Sequence, residues 1–283
     1  MSTTERALIP LQTLPPGTWS GVTGVFTDID DTLTRDGAIE PQALQALRDL
    51  RQAGLTVIAV TGRPVGWSKP FALSWPLRAL VAENGSVALV RQPDGTLRKL
   101  HQQDTATRVR NFARLQEVAH EVLHKVPGSQ LAHDSAGRET DIAIDHSEFS
   151  HLSAAQIAHV VAVMREGGLN ATVSSIHING WIGAHDKWQG ACWIARELLG
   201  RDLAAEASRW VYVGDSTNDQ RMFEHFPHSV GVANIRRFES QLRFKPHYIT
   251  HHERGAGFAE MAEVLIDHRS SNTHSPPGCS LSH

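Results

Sequence analysis

The apolar residues of this chain gather in short unbroken runs, the mark of strands covered on both faces. Val22 to Phe26, interrupted by Thr23 and Gly24, predicts one buried strand, and Leu55 to Val60 a second. Leu77 to Ala82 and Trp210 to Val213 predict two more. Between the first two, Glu40-Pro41 opens a helix in which Leu44, Leu47 and Leu50 share a face, and Gly54 ends it. A right-handed crossover makes those two strands parallel, so the loops that follow them meet at one edge of the sheet.

After the turn Glu83-Asn84-Gly85 the pattern changes. Val87 to Val90 and Leu97 to Leu100 flank Pro93-Asp94-Gly95, a hairpin signal. A helical stripe follows, Phe112, Leu115, Ala119, Val122 and Val126, and then an alternating strand from Thr140 to Asp145. Ser153 and Gln156 form a capping box for a helix carrying Ile157, Val160, Val161 and Met164, and Ala171 to Asn179 reads as a strand. This order predicts an α+β domain inserted at 85–184 into a core made of 20–84 and 185–267. In the returning core, Asp186 caps a helix with Trp188, Ala191, Ile194, Ala195 and Leu198 that stops at Gly200. Met222 and Phe223 start another helix, Val230 to Val232 and Tyr248 to Thr250 supply short strands, and Ala259 to Ile266 a last helix. Residues 1–19, rich in Pro and Thr, read as irregular, and 268–283 as a disordered tail.

Composition narrows the class. The chain has 283 residues, 41% of them hydrophobic, enough for a sizeable core. A net charge of −3 with mixed signs provides no basic field for nucleic acid, and no apolar run approaches the ~18 residues of a membrane span. The amino terminus has no basic start leading into an apolar stretch, so no secretion signal is read there. Cys192 and Cys279 form no metal or disulfide pattern, which fits reduced thiols in a cytoplasmic protein, and the 17 histidines are scattered without ligand spacing.

The chemistry sits at the ends of the apolar runs. The first delivers Asp28, Asp30 and Asp31 together; carboxylates this close repel unless a cation or proton intervenes, so the loop is a candidate divalent-metal site. Asp-Asp-Thr is also an ordinary helix cap. The second run ends in Thr61-Gly62-Arg63, whose hydroxyl and backbone N–H groups suit a phosphate, or simply a turn. Lys187 stands in the first turn of a helix, where its charge opposes the helix dipole. Gly214-Asp215-Ser216-Thr217-Asn218-Asp219 closes the fourth run.

Taken in order, D-I-D-D-T at Asp28 to Thr32, T-G-R at Thr61 to Arg63, Lys187, and G-D-S-T-N-D at Gly214 to Asp219 resemble the four signatures of the haloacid dehalogenase superfamily of phosphohydrolases. The resemblance spans Val22 to Ile266. It implies an α/β fold with a doubly wound, Rossmann-like parallel sheet. It also implies Asp28 as nucleophile, Asp30 as acid and base, and Thr61 and Lys187 as holders of the phosphoryl oxygens. Mg²⁺ is expected on Asp28, the carbonyl of Asp30, Asp215 and Asp219 or Asn218. Many relatives have glycine where this chain has Asp31, whose side chain is expected to point away from the metal.

Residues 35–60 are already assigned to loop, helix and strand, whereas 62–186 leave room for a lid after the second signature. In the family this is the second cap position, and its α+β content is similar to the IIB branch of Cof-type, sucrose-phosphate and mannosyl-3-phosphoglycerate phosphatases. Gly62, Arg63, Asn84, His177, Asn179 and Asn218 are the candidate substrate contacts, with Ser174, Ser175, Trp181 and His185 beside them in the cap. A polar sheet face with a packed tryptophan accounts for the cap residues equally well. The expected reaction is Mg²⁺-dependent hydrolysis of a small phosphorylated metabolite such as a sugar phosphate. A phosphomutase or phosphotransferase using the same aspartyl-phosphate stays open, as does a catalytically retired sensor.

Overall fold

The computed structural model describes residues 7–270. The chain begins with β1 (Ile9–Pro10), β2 (Gly24–Thr27), β3 (Thr34–Arg35), β4 (Ala38–Ile39), α1 (Pro41–Gln52), β5 (Thr56–Val60), α2 (Val65–Ser74) and β6 (Ala79–Ala82). The middle comprises β7 (Val87–Arg91), β8 (Leu97–His101), α3 (Thr105–Lys125), β9 (Gln130–Leu131), β10 (Asp141–Asp145), α4 (Ala154–Glu166), β11 (Asn170–Val173) and β12 (His177–Trp181). It closes with α5 (Lys187–Leu199), β13 (Trp210–Gly214), α6 (Gln220–His225), β14 (His228–Gly231), β15 (Tyr248–Ile249) and α7 (Arg254–Ser270).

A nine-stranded sheet, ordered β1-β15-β14-β13-β2-β5-β6-β7-β8, forms the core. β2 lies between β13 and β5 and runs parallel to both. Alternation along these strands explains the layering: Val25 and Val57 join the cluster under α1 and α7, while Phe26 and Ile58 join the one under α5 and α6. Both faces are therefore covered, which is why the strands read as continuous apolar runs. Connections leave the sheet in opposite directions from β2, so its carboxyl end opens at the switch in strand order where such sheets bind ligands. The fold is doubly wound α/β, with an α+β cap carrying its own sheet, β11-β12-β10-β9, all antiparallel.

Several expectations need correction. The β7–β8 hairpin belongs to the core: β7 pairs antiparallel with β6 and extends the sheet, so the cap does not begin at Gly85. The stretch Ala171 to Asn179 is two strands; Ser174 breaks it, its Oγ accepting from the N–H groups of Ile176 (3.3 Å) and His177 (3.0 Å). The N-terminal segment is not irregular throughout, because β1 pairs with β15 and Leu11, Leu14 and Trp19 are buried. Helix α7 runs on to Ser270, taking in His268; the rest of the expected tail, 271–283, lies outside the described residues. Helix α2 had no clear periodicity, with Pro70 inside it. It holds Gly66 against Gly137 of the cap, where a Cβ would come within 2.8 Å of the Gly137 Cα.

Candidate active site

The site forms where β2, β5 and β13 end. Asp28 N–H donates to the Val213 carbonyl (2.9 Å), carrying the β2–β13 pairing one residue past the strand and fixing Asp28 at the sheet edge. The chain then turns tightly, the Ile29 carbonyl accepting from the N–H groups of Thr32, Leu33 and Thr34. Asp31 takes up the turn with φ 55°, a left-handed conformation that glycine adopts without strain. Its side chain turns to Arg254, whose Nε donates to Oδ1 at 2.7 Å, away from Asp28.

Lys187, 2% exposed, reaches from the first turn of α5 and donates to Asp28 Oδ1 (2.6 Å) and Asp219 Oδ1 (2.7 Å). The oddly placed helix-start lysine is thus the counter-ion of two buried carboxylates. Asp219 is fully engaged: Tyr212 donates its hydroxyl to Oδ1 (2.5 Å), and the N–H groups of Asp215 (2.9 Å) and Ser216 (3.1 Å) donate to Oδ2. Gly214 permits this closure, because a Cβ there would lie 2.5 Å from Asp219 Oδ2. Asp215 accepts from Asn234 Nδ2 on Oδ2 (3.1 Å), while its Oδ1 is buried and unpartnered.

One oxygen each of Asp28, Asp215 and Asp219 lies within 4.8 Å of the others. Burial pushes the Asp28 carboxyl up to about 7 against the pull of Lys187, with Asp219 and Asp30 adding to the rise. Burial, Asp28 and Asp219 together hold Asp215 well above the carboxylate range. Burial disfavours the charged form of Lys187, yet Asp219 and Asp28 outweigh it and keep the ammonium. Three carboxylates against one ammonium leave two negative charges uncompensated when all are ionised. That surplus, the hard oxygen donors and the orphaned Asp215 Oδ1 fit a divalent cation such as Mg²⁺.

Asp30 faces another way. Arg63, 4% exposed, donates Nε to both Asp30 oxygens (3.0 and 3.1 Å), Nη1 to Asp134 Oδ2 (3.1 Å) and Nη2 to Glu148 Oε1 (2.7 Å). Asp134 and Glu148 belong to the cap, so one guanidinium joins cap to core. Glu148 also meets His177 Nε2 at 2.9 Å. Thr61 is buried, and its Oγ1 accepts from Arg63 N–H (3.0 Å). A second tie is Glu83, whose carboxylate accepts from the N–H groups of Val65, Glu139 and Thr140. Thr217 Oγ1 donates to the Val173 carbonyl (2.6 Å).

Of the predicted residues, Asp28, Asp30, Gly62, Arg63, Ser174, Ser175, His177, Asn179 and Asn218 line one central space of about 10 Å³, enough for roughly one water. The cap is closed over the site. Gly62 is half-buried between Asn84 and Asn179, its carbonyl accepting from Asn179 Nδ2 (3.2 Å) and Arg138 Nη1 (3.0 Å). Asn84, Trp181 and His185 do not reach Asp28; they line a separate cavity of about 600 Å³ that touches Lys187 and Asn218. Sequence reasoning missed Tyr212, Asn234, Asp134 and Glu148. Tyr212 was hidden in an apolar run, and the two cap acids had no pattern to mark them.

Fold and site together define a doubly wound α/β protein with a capped, buried carboxylate centre. Residues 25–126 match the family model described as haloacid dehalogenase-like hydrolase. No curated protein sequence matches the chain. Among solved structures it is similar to a Thermoplasma acidophilum protein at 17% identity and TM-score 0.65, covering 87% of this chain and 99% of that one. The sucrose-phosphatase of Synechocystis, solved with sucrose and phosphate, aligns at 17% identity and TM-score 0.62 over 86% of this chain and 98% of that one. The C-terminal domain of the C. albicans trehalose-6-phosphate phosphatase aligns at 13% identity and TM-score 0.64, over 93% of this chain and 99% of the domain. Among the described residues no helix is long and apolar enough to cross a membrane.

Proposed function

We propose that the chain is a Mg²⁺-dependent phosphatase that hydrolyses a phosphomonoester of a sugar or similar small polar metabolite through an aspartyl-phosphate. The observation that carries this reading is the buried triad of Asp28, Asp215 and Asp219 with its single ammonium. The structural likeness to a sucrose-phosphatase and a trehalose-6-phosphate phosphatase supports the substrate class.

In this reading Asp28 attacks phosphorus in line, and the ester P–O bond breaks as Asp30 gives its proton to the departing alkoxide oxygen. Asp30 then takes a proton from water, which attacks phosphorus and releases Asp28 and inorganic phosphate. Lys187 and the Thr61 hydroxyl hold the non-bridging oxygens, where their charge and dipole stabilise the transition state. Asp28, Asp215 and the Asp30 carbonyl would hold Mg²⁺, which would supply positive charge to offset repulsion between carboxylate and phosphoryl oxygens. Asp219, with both oxygens engaged, fixes Lys187 and the Asp215 loop. Because the closed centre has room for about one water, the cap opens to admit substrate.

The test is phosphate release from a panel of phosphorylated sugars, sugar acids and nucleotides with Mg²⁺ and with EDTA. Release that needs Mg²⁺ and vanishes in Asp28→Asn supports the reading; release indifferent to both contradicts it. Conversion of a sugar phosphate to its isomer without phosphate release favours the mutase instead.

A further inference from the structure

The closed centre is flanked by two larger spaces, and they differ in kind. The cavity of about 600 Å³ reaches Lys187 but not Asp30, and carries Arg165, Arg221 and Arg243. The other, about 550 Å³, is lined by Asp30, Arg63, Glu148, Phe149, Phe238 and Arg254. If Asp30 protonates the leaving oxygen, the leaving group lies on the Asp30 side, in the smaller cavity. The charges there are largely paired, Arg63 with Asp30 and Glu148, Arg254 with Asp31, and Arg237 with Glu253. The Asp36 carboxylate and the hydroxyls of Thr34, Ser147 and Ser175 add to the polar lining.

The cap loop on this cavity is held with unusual care. Asp145, 1% exposed, accepts the N–H groups of Ser147 (3.1 Å) and Glu148 (2.9 Å) on Oδ1, and those of Phe149 (2.9 Å) and Ser150 (3.2 Å) on Oδ2. The loop so fixed places Glu148 on Arg63 and leaves Phe149 64% exposed, its ring stacked on His133 at 4.2 Å and 10°. A lone exposed phenylalanine means little by itself. One whose backbone and ring are both held, on the same cavity as the group that protonates the leaving oxygen, is a platform.

We propose that Phe149 is a specificity-determining residue, receiving the apolar face of a pyranose ring in the leaving group, with neighbouring hydroxyls and paired charges binding the ring's edge. The leaving group is then a neutral cyclic polyol, and the cavity of about 600 Å³ is not its site. This rests on the phosphatase reading.

The test compares wild type, Phe149→Ala, Phe149→Tyr and Arg243→Ala on pyranose phosphates (glucose 6-phosphate, mannose 6-phosphate, sucrose 6-phosphate, trehalose 6-phosphate) and on acyclic glycerol 3-phosphate and acetyl phosphate. Phe149→Ala is expected to lower kcat/KM for the pyranose phosphates about fivefold through KM, equivalent to about 1 kcal/mol of ring stacking. Phe149→Tyr and Arg243→Ala keep the wild-type values, and the acyclic substrates are indifferent to all three changes. An equal effect of Phe149→Ala on cyclic and acyclic substrates, no effect at all, or a KM rise in Arg243→Ala instead overturns the proposal. Wild type that cleaves acyclic phosphates but no pyranose phosphate overturns it while leaving the phosphatase reading intact. Wild type that cleaves none of them defeats the phosphatase reading itself.

Discussion

Replacing Lys187 by Met removes the charge that two buried carboxylates share. The ammonium lies 2.6 Å from Asp28 and 2.7 Å from Asp219, and all three side chains are at least nine-tenths buried. If both carboxylates stay ionised, the loss is that of breaking a buried ion pair, about 3–5 kcal/mol. If one takes up a proton instead, the cost at about pH 7 is about 1.4 kcal/mol for each unit above an ordinary carboxylate pKa of about 3.9, again about 4 kcal/mol. The two routes agree in size and differ in pH dependence. By the proton route the extra proton goes to the carboxylate still ionised in wild type, so the deficit shrinks as pH falls, to about 1.5 kcal/mol near pH 5. Urea unfolding of both proteins in EDTA at these two pH values measures it. A deficit below about 1 kcal/mol at neutral pH, or one that grows toward acid, refutes the account of Lys187 as the shared counter-ion.

Other outcomes follow from the same geometry. Burial raises Asp28 to about 7, so its proton must leave before it ligates an ion. Asp215, also held well above the carboxylate range, must give up its proton too, so Mg²⁺ affinity should rise at least tenfold per pH unit up to neutrality, with proton release seen by calorimetry in buffers of different ionisation heat. The same raised pKa makes the ion-free protein lose stability from this group as pH climbs from about 3.8 to about 7, a loss visible as a falling Tm in EDTA. Arg63→Lys keeps a charge but not the fork that spans Asp30, Asp134 and Glu148. It should lower kcat about 10–100-fold and increase proteolytic cleavage around the cap hinges, whereas unchanged kcat and cleavage would deny the guanidinium its role as latch.

The reach of sequence reasoning had a physical boundary. Asp28, Thr61 and Asp215 were legible because each ends an apolar run, and a strand buried on both faces announces itself by composition alone. Lys187 was legible by contrast, since its position defied the helix dipole until Asp28 and Asp219 were placed beside it. The cap boundary was not. Pro93-Asp94-Gly95 marks a hairpin whichever sheet it joins, although Val87 to Val90, buried throughout, already had the unbroken apolar character of an interior strand. Arg63 shows the deeper limit. Its cap partners Asp134 and Glu148 lie 71 and 85 residues along the chain, in loops with no periodicity, and their meeting is set by how the cap seats on the core. The split of Ala171 to Asn179 turned on a single hydroxyl, Ser174 Oγ, whose local hydrogen bonds outcompeted continued extension.

The central claim is that Asp28 itself takes the phosphoryl group. Acid quenching of the enzyme within one turnover of a ³²P-labelled sugar phosphate, followed by peptide mapping, tests it directly. Label on the peptide containing Asp28, absent from Asp28→Asn and released by Asp30-dependent hydrolysis, is the predicted result. Turnover with no protein-bound label at any quench time, or label on another residue, would contradict it.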